Sequence, residues 1–287
     1  METGFINSNG VKLYYEIVGQ GEPLLLLNGG PGMPHDYLQE MSARLPDARL
    51  IFYDQRGTGN SDKADSSTYT IDTNVEDLEN LRRGLNLDRV RMLGHSWGGM
   101  LAQAYVLKYP APVTKLILAD TFSRSTDIDV TLARMLAAVP PETRAVIEKY
   151  EAAGIYGAGD EYPAEYQAAL DIAYEPVNIS IPLPDYLQNS FARISYDVYK
   201  TMWGTESEFR ITGTLKDFNA FPRLREIKMP TLVIVGGGDM PTVAMAERTV
   251  QGLPNARLEI FEHSRHYPFL EEPEKFSQVV NGFLHDA

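Results

Sequence analysis

The fold of this chain is indicated by the stretch Val90-Arg91-Met92-Leu93-Gly94-His95-Ser96-Trp97-Gly98-Gly99. Residues 90–93 are mostly apolar, which is typical of a buried strand, and residues 97–108 have the pattern of a helix. Between them lies a G-x-S-x-G turn, in which the glycines permit a tight reversal that lifts the serine hydroxyl above the sheet edge. The stretch therefore predicts Ser96 as a nucleophile at a helix N-terminus, where developing negative charge is favoured.

Working outward from this turn, strand-like and helix-like segments alternate in the first 120 residues and again after residue 213. Apolar runs predict further strands at residues 11–18, 24–27, 50–53, 116–119, 231–235 and 257–261. An amphipathic repeat over residues 75–85 predicts a helix with Asp72 as its N-cap, and further helices are expected at 243–251 and from Glu274. Such alternation predicts an α/β fold with a mostly parallel central sheet that is covered on both faces.

Residues 121–213 differ from the rest of the chain, because strand signals vanish and helical stretches with proline-bearing loops replace them. This segment also holds eight tyrosines. We interpret it as a helical cap inserted after the sixth strand of the sheet. The predicted organisation is therefore a core of residues 1–120 and 214–287, with a cap formed by residues 121–213.

The composition narrows the functional classes. The 287 residues carry a formal net charge of −13, which disfavours binding to nucleic acid and to anionic membranes. There is no cysteine, so disulfides, thiolate catalysis and cysteine metal sites are excluded. The first residues lack a basic segment followed by an apolar run, so we expect no secretory signal and a cytoplasmic location. No metal-ligand cluster or nucleotide-binding loop stands out, so neither a metal nor a cofactor is expected.

A serine hydroxyl needs a base, and five histidines are available: His35, His95, His263, His266 and His285. In a chain with this elbow, the acid follows the serine and the base follows the acid. His263 and His266 both come after the strand at 257–261, where the base belongs. We favour His266 because it lies further into the loop that leads to the last helix, and His263 is the alternative.

The acid is expected at the end of a strand between the serine and the base. Asp239 follows the strand at 231–235 and a Gly-Gly-Gly turn, and it would hold the imidazole in one tautomer. Asp120, at the end of the strand at 116–119, is the rival. For the oxyanion, Asn28-Gly29-Gly30-Pro31-Gly32 follows a buried strand, and the backbone N–H groups of Gly30 and Trp97 are the expected donors.

These residues together resemble the proline iminopeptidase family, which includes the tricorn-interacting aminopeptidase of archaea. The similarity covers nearly the whole chain and is carried by five segments, at residues 28–38, 53–61, 94–99, 208–217 and 227–232, together with Asp239 and His266. It implies an α/β-hydrolase fold with a helical cap and a Ser-Asp-His triad. It also implies release of an N-terminal residue, often proline, from a peptide or amide.

The resemblance further implies a substrate-binding role for Glu208, as a carboxylate that recognises the free ammonium. Tyr199 and Trp203 of the cap would suit an apolar or ring-bearing group, although cap aromatics commonly form the cap's own core. Two positions depart from the family. Met240 stands where a second acidic residue commonly follows the triad aspartate, and Asn28 stands where the family has histidine.

The leading hypothesis is a serine hydrolase that acts through a Ser96 acyl-enzyme on a small-molecule or short-peptide substrate with an N-terminal proline or another small apolar residue. Because of Met240, the alternative is a carboxylesterase, lactonase or amidase for an apolar small molecule without a free amine. A ligand-binding protein on a hydrolase scaffold is a third possibility, but such a protein has no need of all three triad residues. The oligomeric state is not indicated by the sequence.

Overall fold

The computed structural model describes residues 1–158 and 162–286. Eight strands form one sheet: β1 (Glu2–Ser8), β2 (Val11–Val18), β3 (Pro23–Leu27), β4 (Arg49–Tyr53), β5 (Val90–His95), β6 (Val113–Ala119), β7 (Thr231–Gly236) and β8 (Ala256–Phe261). Their order is β1-β2-β4-β3-β5-β6-β7-β8. The ladders from β4 through β3 to β8 are all parallel, and β2 pairs antiparallel with both β1 and β4. The mostly parallel sheet that the sequence predicts is thus confirmed, with β1 as an additional strand.

Helices cover both faces of this sheet. They are α1 (Met41–Arg44), α2 (Ile71–Gly84), α3 (Trp97–Lys108), α4 (Ser125–Ala138), α5 (Pro141–Ala152), α6 (Ile155–Ala158), α7 (Ala164–Tyr174), α8 (Asp185–Ala192), α9 (Tyr196–Met202), α10 (Val243–Gly252), α11 (Pro268–Glu271) and α12 (Pro273–His285). Short 3-10 helices lie at His35–Leu38, Ser66–Thr68 and Phe221–Glu226. The predicted N-cap of α2 is wrong: the Thr70 hydroxyl accepts from the Thr73 N–H at 3.2 Å, and Asp72 lies in the first turn.

The core consists of two apolar layers, one on each face of the sheet. Strand β3 shows why: Leu25 and Leu27 pack into the layer under α2 and α3, whereas Leu24 and Leu26 pack into the layer under α1 and α12. All four leucines are fully buried. Successive side chains of a strand point to opposite faces, so a continuous apolar run is what a strand covered on both sides requires.

The helices from α4 to α9 lie between β6 and β7 along the chain. The segments that lead into and out of them are joined by backbone hydrogen bonds, from Ser125 N to Phe218 O and from Ala220 N to Ser123 O. The division into a core of residues 1–120 and 214–287 and a cap of residues 121–213 stays a prediction. Within the described part of the chain, no helix is long and apolar enough to cross a bilayer.

Candidate active site

Ser96 occupies a strained turn between β5 and α3. Its backbone has φ 55° and ψ −124°, a conformation that non-glycine residues rarely adopt. The turn is so tight that a Cβ on Gly94 would lie 2.3 Å from Gly98 O, and a Cβ on Gly98 would lie 2.0 Å from Leu27 O. Both glycines of the motif are therefore required by close backbone approach, and together they place Ser96 at the carboxyl end of β5.

His266 and Asp239 form a buried pair. Asp239 lies just beyond β7, and His266 lies in the loop after β8. His266 Nδ1 donates to Asp239 Oδ1 at 2.7 Å. The same carboxylate oxygen accepts from the Met240 N–H at 2.6 Å. Because Nδ1 carries the proton, Nε2 is the basic nitrogen. Burial lowers the pKa of His266 to about 4, although the charge of nearby Glu271 opposes this, so the imidazole is neutral at pH 7.

The structure shows where the alternative base, His263, and the alternative acid, Asp120, lie. His263 is exposed on the loop after β8, and its N–H donates to Glu272 rather than contacting the triad candidates. Asp120 is fully buried at the end of β6, beside Asp239. The structure therefore brings His266 to Asp239, and it brings Asp120 to the same carboxylate instead of to the histidine.

Ser96, His266, Gly30 and Trp97 line one cavity of about 690 Å3. Gly30 has φ +113°, which turns its backbone in a way that glycine adopts readily. Trp97 is the first residue of α3, so its N–H has no acceptor within the helix. The cavity thus holds the serine, the base and both N–H groups expected to bind an oxyanion.

Gln55 connects the two segments that are expected to form the oxyanion site, a role that was not predicted from the sequence. Its Nε2 donates to Asn28 O at 3.0 Å, and its Oε1 accepts from Trp97 Nε1 at 2.7 Å. Asn28 in turn donates through Nδ2 to Met33 O, so the loop after β3 is closed on itself. The only signal in the sequence was its place in the family-like segment at residues 53–61.

His95 links the elbow to the loops on either side, and its protonation follows from its partners. Its Nε2 lies 2.8 Å from His266 O, and a carbonyl can only accept, so Nε2 carries the proton. Nδ1 must then accept from the Tyr37 hydroxyl at 2.8 Å, which itself accepts from the Gly29 N–H at 2.7 Å. Burial, aided by nearby His266, lowers the pKa of His95 to about 3, consistent with a neutral ring.

Glu208 lies in the wall of the same cavity, 9% exposed. Its Oε1 accepts from the hydroxyls of Tyr174 at 2.8 Å and Tyr199 at 2.7 Å. Trp203 Nε1 donates to Glu208 O at 3.0 Å. The Trp203 ring stacks on Tyr199, with the ring centroids 5.9 Å apart. Burial raises the pKa of Glu208, because its ionised form is poorly solvated there.

Met240 is half-buried and also lines the cavity. All the site residues expected from the sequence except Asp239 therefore line one cavity, and Asp239 is connected to it through His266. Tyr199 and Trp203 both line the cavity and support Glu208. Among the described residues, no three histidine, aspartate or glutamate side chains are grouped as metal ligands would be.

Comparisons with known proteins agree with this fold. The family model described as alpha/beta hydrolase fold matches residues 22–273. A proline iminopeptidase of Saccharolobus solfataricus is 34% identical, and the match covers 99% of this chain and 92% of that protein. The crystal structure of a proline iminopeptidase from Mycobacterium smegmatis superposes with a TM-score of 0.86 at 29% identity, covering 99% and 98%. The structure of VinJ gives a TM-score of 0.91 at 30% identity with the same coverage.

Proposed function

The chain belongs to the proline iminopeptidase family of α/β-hydrolase enzymes, and on this premise we propose that it releases an N-terminal proline or another small apolar residue from a short peptide or amide. The observation that carries the proposal is the buried Glu208 carboxylate, which lines the cavity that also holds Ser96 and His266. A substrate would place its scissile carbonyl at the serine and its free amine at the carboxylate. We also propose a cytoplasmic location, with which the lack of cysteine is compatible.

The proposed chemistry is acyl transfer to water. His266 Nε2 takes the proton of Ser96 Oγ as the oxygen attacks the carbonyl carbon, and the N–H groups of Gly30 and Trp97 donate to the oxyanion. His266 then gives this proton to the leaving amine, and the C–N bond breaks. Water attacks the acyl-enzyme in the same way and regenerates the serine. Asp239 holds the imidazole in the required tautomer and stabilises the imidazolium.

Glu208 is suited to an ammonium because of what surrounds it. Within the described ranges its carboxylate forms no ion pair with lysine or arginine, and its Oε1 accepts from the neutral hydroxyls of Tyr174 and Tyr199. A buried carboxylate without a cation is costly to ionise. A substrate ammonium would supply the missing charge, so binding energy would be gained only by substrates with a free N-terminus.

Met240 favours a second candidate, a carboxylesterase, lactonase or amidase without a need for a free amine. This thioether occupies the position where the family commonly places another carboxylate, and it faces the cavity. An apolar lining at that point would accept an uncharged group.

The two candidates are separated by a matched pair of substrates, prolyl p-nitroanilide with a free amine and its N-acetylated form, with Ser96→Ala as the control. We expect hydrolysis of the free-amine compound alone, abolished in the variant. Hydrolysis of both compounds, or of only the acetylated compound and simple p-nitrophenyl esters, would contradict recognition of the ammonium and support the second candidate.

A further inference from the structure

Two carboxyl groups meet at the carboxyl ends of β6 and β7. Asp120 N donates to Ile234 O at 2.9 Å, and Asp120 Oδ1 accepts from the Gly236 N–H at 3.0 Å. Asp239 N donates to Gly236 O at 3.2 Å, which brings Asp239 back toward the same strand end. The two side chains therefore lie beside one another at this strand end, close enough for the charge of Asp239 to act on Asp120.

Each of these carboxyl groups has one oxygen committed elsewhere. Asp120 Oδ1 is held by Gly236, and Asp239 Oδ1 accepts from His266 and from the Met240 N–H. The two Oδ2 atoms are buried, and in the described structure neither has a hydrogen-bond partner. Leaving two buried oxygens without partners is costly. Two ionised carboxylates cannot satisfy each other because both only accept, whereas a protonated carboxyl group can donate its O–H to the other.

We propose that Asp120 is a protonated positioning residue, whose Oδ2–H donates to Oδ2 of Asp239 and so holds the triad carboxylate ionised and aimed at His266. The pair shares one negative charge, because two buried carboxylates in contact cannot both ionise without a large cost. The proton lies on Asp120 because Asp239 already accepts two other hydrogen bonds, which stabilise its ionised form.

The surroundings support this assignment. Burial raises the pKa of both carboxyl groups, and the charge of Asp239 raises that of Asp120 further. At Asp239 the hydrogen bonds from Asp120 and from the Met240 N–H oppose the rise. The titratable groups that face the pair from neighbouring elements are Tyr37, Glu271, His266 and Tyr267. Of these, Glu271 is the acid that raises both pKa values, so it too favours keeping one proton on the pair.

Asp120→Asn is the conservative test, because asparagine can accept from Gly236 and donate to Asp239 as the protonated acid does. Asparagine also tolerates the φ of 52° at this position. We expect Asp120→Asn to keep kcat and the acid limb of the kcat/KM profile close to wild type, since one neutral group replaces another. Asp120→Gly keeps the backbone freedom but removes the donor, and we expect kcat to fall by about tenfold to a hundredfold with little change in KM.

Infrared difference spectroscopy of wild type against Asp120→Asn reads the proton directly. We expect the wild type at neutral pH to show the carbonyl band of a buried protonated carboxylic acid, absent from the variant. A band that persists in Asp120→Asn, or that is missing from the wild type, would overturn the proposal. So would wild-type kcat in Asp120→Gly, or an acid limb displaced by about one pH unit in Asp120→Asn, which is the sign of a lost negative charge.

This inference rests on the proposed function, because it assumes that Asp239 orients the base. Ser96→Ala and Asp239→Asn separate the two failures. If either variant retains wild-type activity, the proposed triad is wrong whatever Asp120 does. If both are inactive while the infrared band does not depend on Asp120, only the shared proton is wrong.

Discussion

Replacing Glu208 by glutamine removes one charge and little else. A glutamine Oε1 can still accept from the hydroxyls of Tyr174 and Tyr199, so the wall of the cavity should keep its shape. What disappears is the negative charge that would face a substrate ammonium. The variant therefore tests recognition of the amine with the catalytic groups left in place.

The size of the effect follows from the burial of the carboxylate. A hydrogen bond to a charged group contributes about 1.5–3 kcal/mol, and each 1.4 kcal/mol is tenfold, so kcat/KM for prolyl p-nitroanilide should fall by about 10- to 150-fold. Glu208 is 9% exposed, so solvent screening should not reduce this loss to the small values of surface pairs.

The assay compares this loss with the effect on a p-nitrophenyl ester that has no amine, for which we expect a rate close to wild type. Glu206→Gln is the matched control. Glu206 is exposed, two residues away, and its ion pair with Arg210 lies at the surface, so its loss should leave both rates unchanged. Equal losses on the two substrates would show that Glu208 is only structural, and no loss on either would refute its role as the anchor.

Three further outcomes follow from the site and the fold. Gln55→Leu should lower kcat by about a hundredfold, because misplacing reacting groups by about 1 Å costs that much. An unchanged kcat in steady-state kinetics would show that the hydrogen bonds of Gln55 to Asn28 and Trp97 do not position the site. Gly98→Ala should lower the free energy of unfolding, measured in urea, by about 1–3 kcal/mol, because its Cβ would lie 2.0 Å from Leu27 O. The matched control is Gly282→Ala on α12, where a Cβ has open space and should raise the free energy of unfolding slightly. Burial holds the pKa of His266 below its ordinary value of 6.5, so activity should persist as the pH falls through 6.5 and be lost only below it, and an acid limb at or above 6.5 would argue against this environment.

The sequence predicted the central fold because its signals there are local. The four leucines at residues 24–27 and the G-x-S-x-G turn specify a strand buried on both faces and a sharp strand-to-helix turn without reference to distant residues. Strand β1 was missed because Glu2–Ser8 is largely polar and partly exposed, and its extended state is stabilised by its ladder with β2. The N-cap of α2 was misplaced because Asp72 and Thr70 are both capping residue types, and the extended backbone at Thr70 decides between them.

The candidate site was only partly predictable, for a physical reason. Residue type and order reduced the bases to His263 and His266 and the acids to Asp120 and Asp239, but only tertiary packing shows which pair is in contact. The residues that support the triad candidates, such as His95, were harder still to predict from the sequence. The hydrogen bond from His95 to His266 O joins residues 171 positions apart, and no local pattern reports such a contact. Ordinary polar residues become positioning groups only when the chain has folded.

The charge balance of the cavity bears on the meaning of Met240. A substrate ammonium carries one positive charge, and an ionised Glu208 would neutralise it. A second carboxylate at residue 240 would lie beside Asp239 and add a buried negative charge to a site that already holds the charge of the Asp120–Asp239 pair. A methionine there avoids this cost and offers an apolar, adaptable contact to the group that follows the amine. The departure from the family is therefore compatible with amine recognition through a single carboxylate, and it favours substrates whose N-terminal residue is apolar.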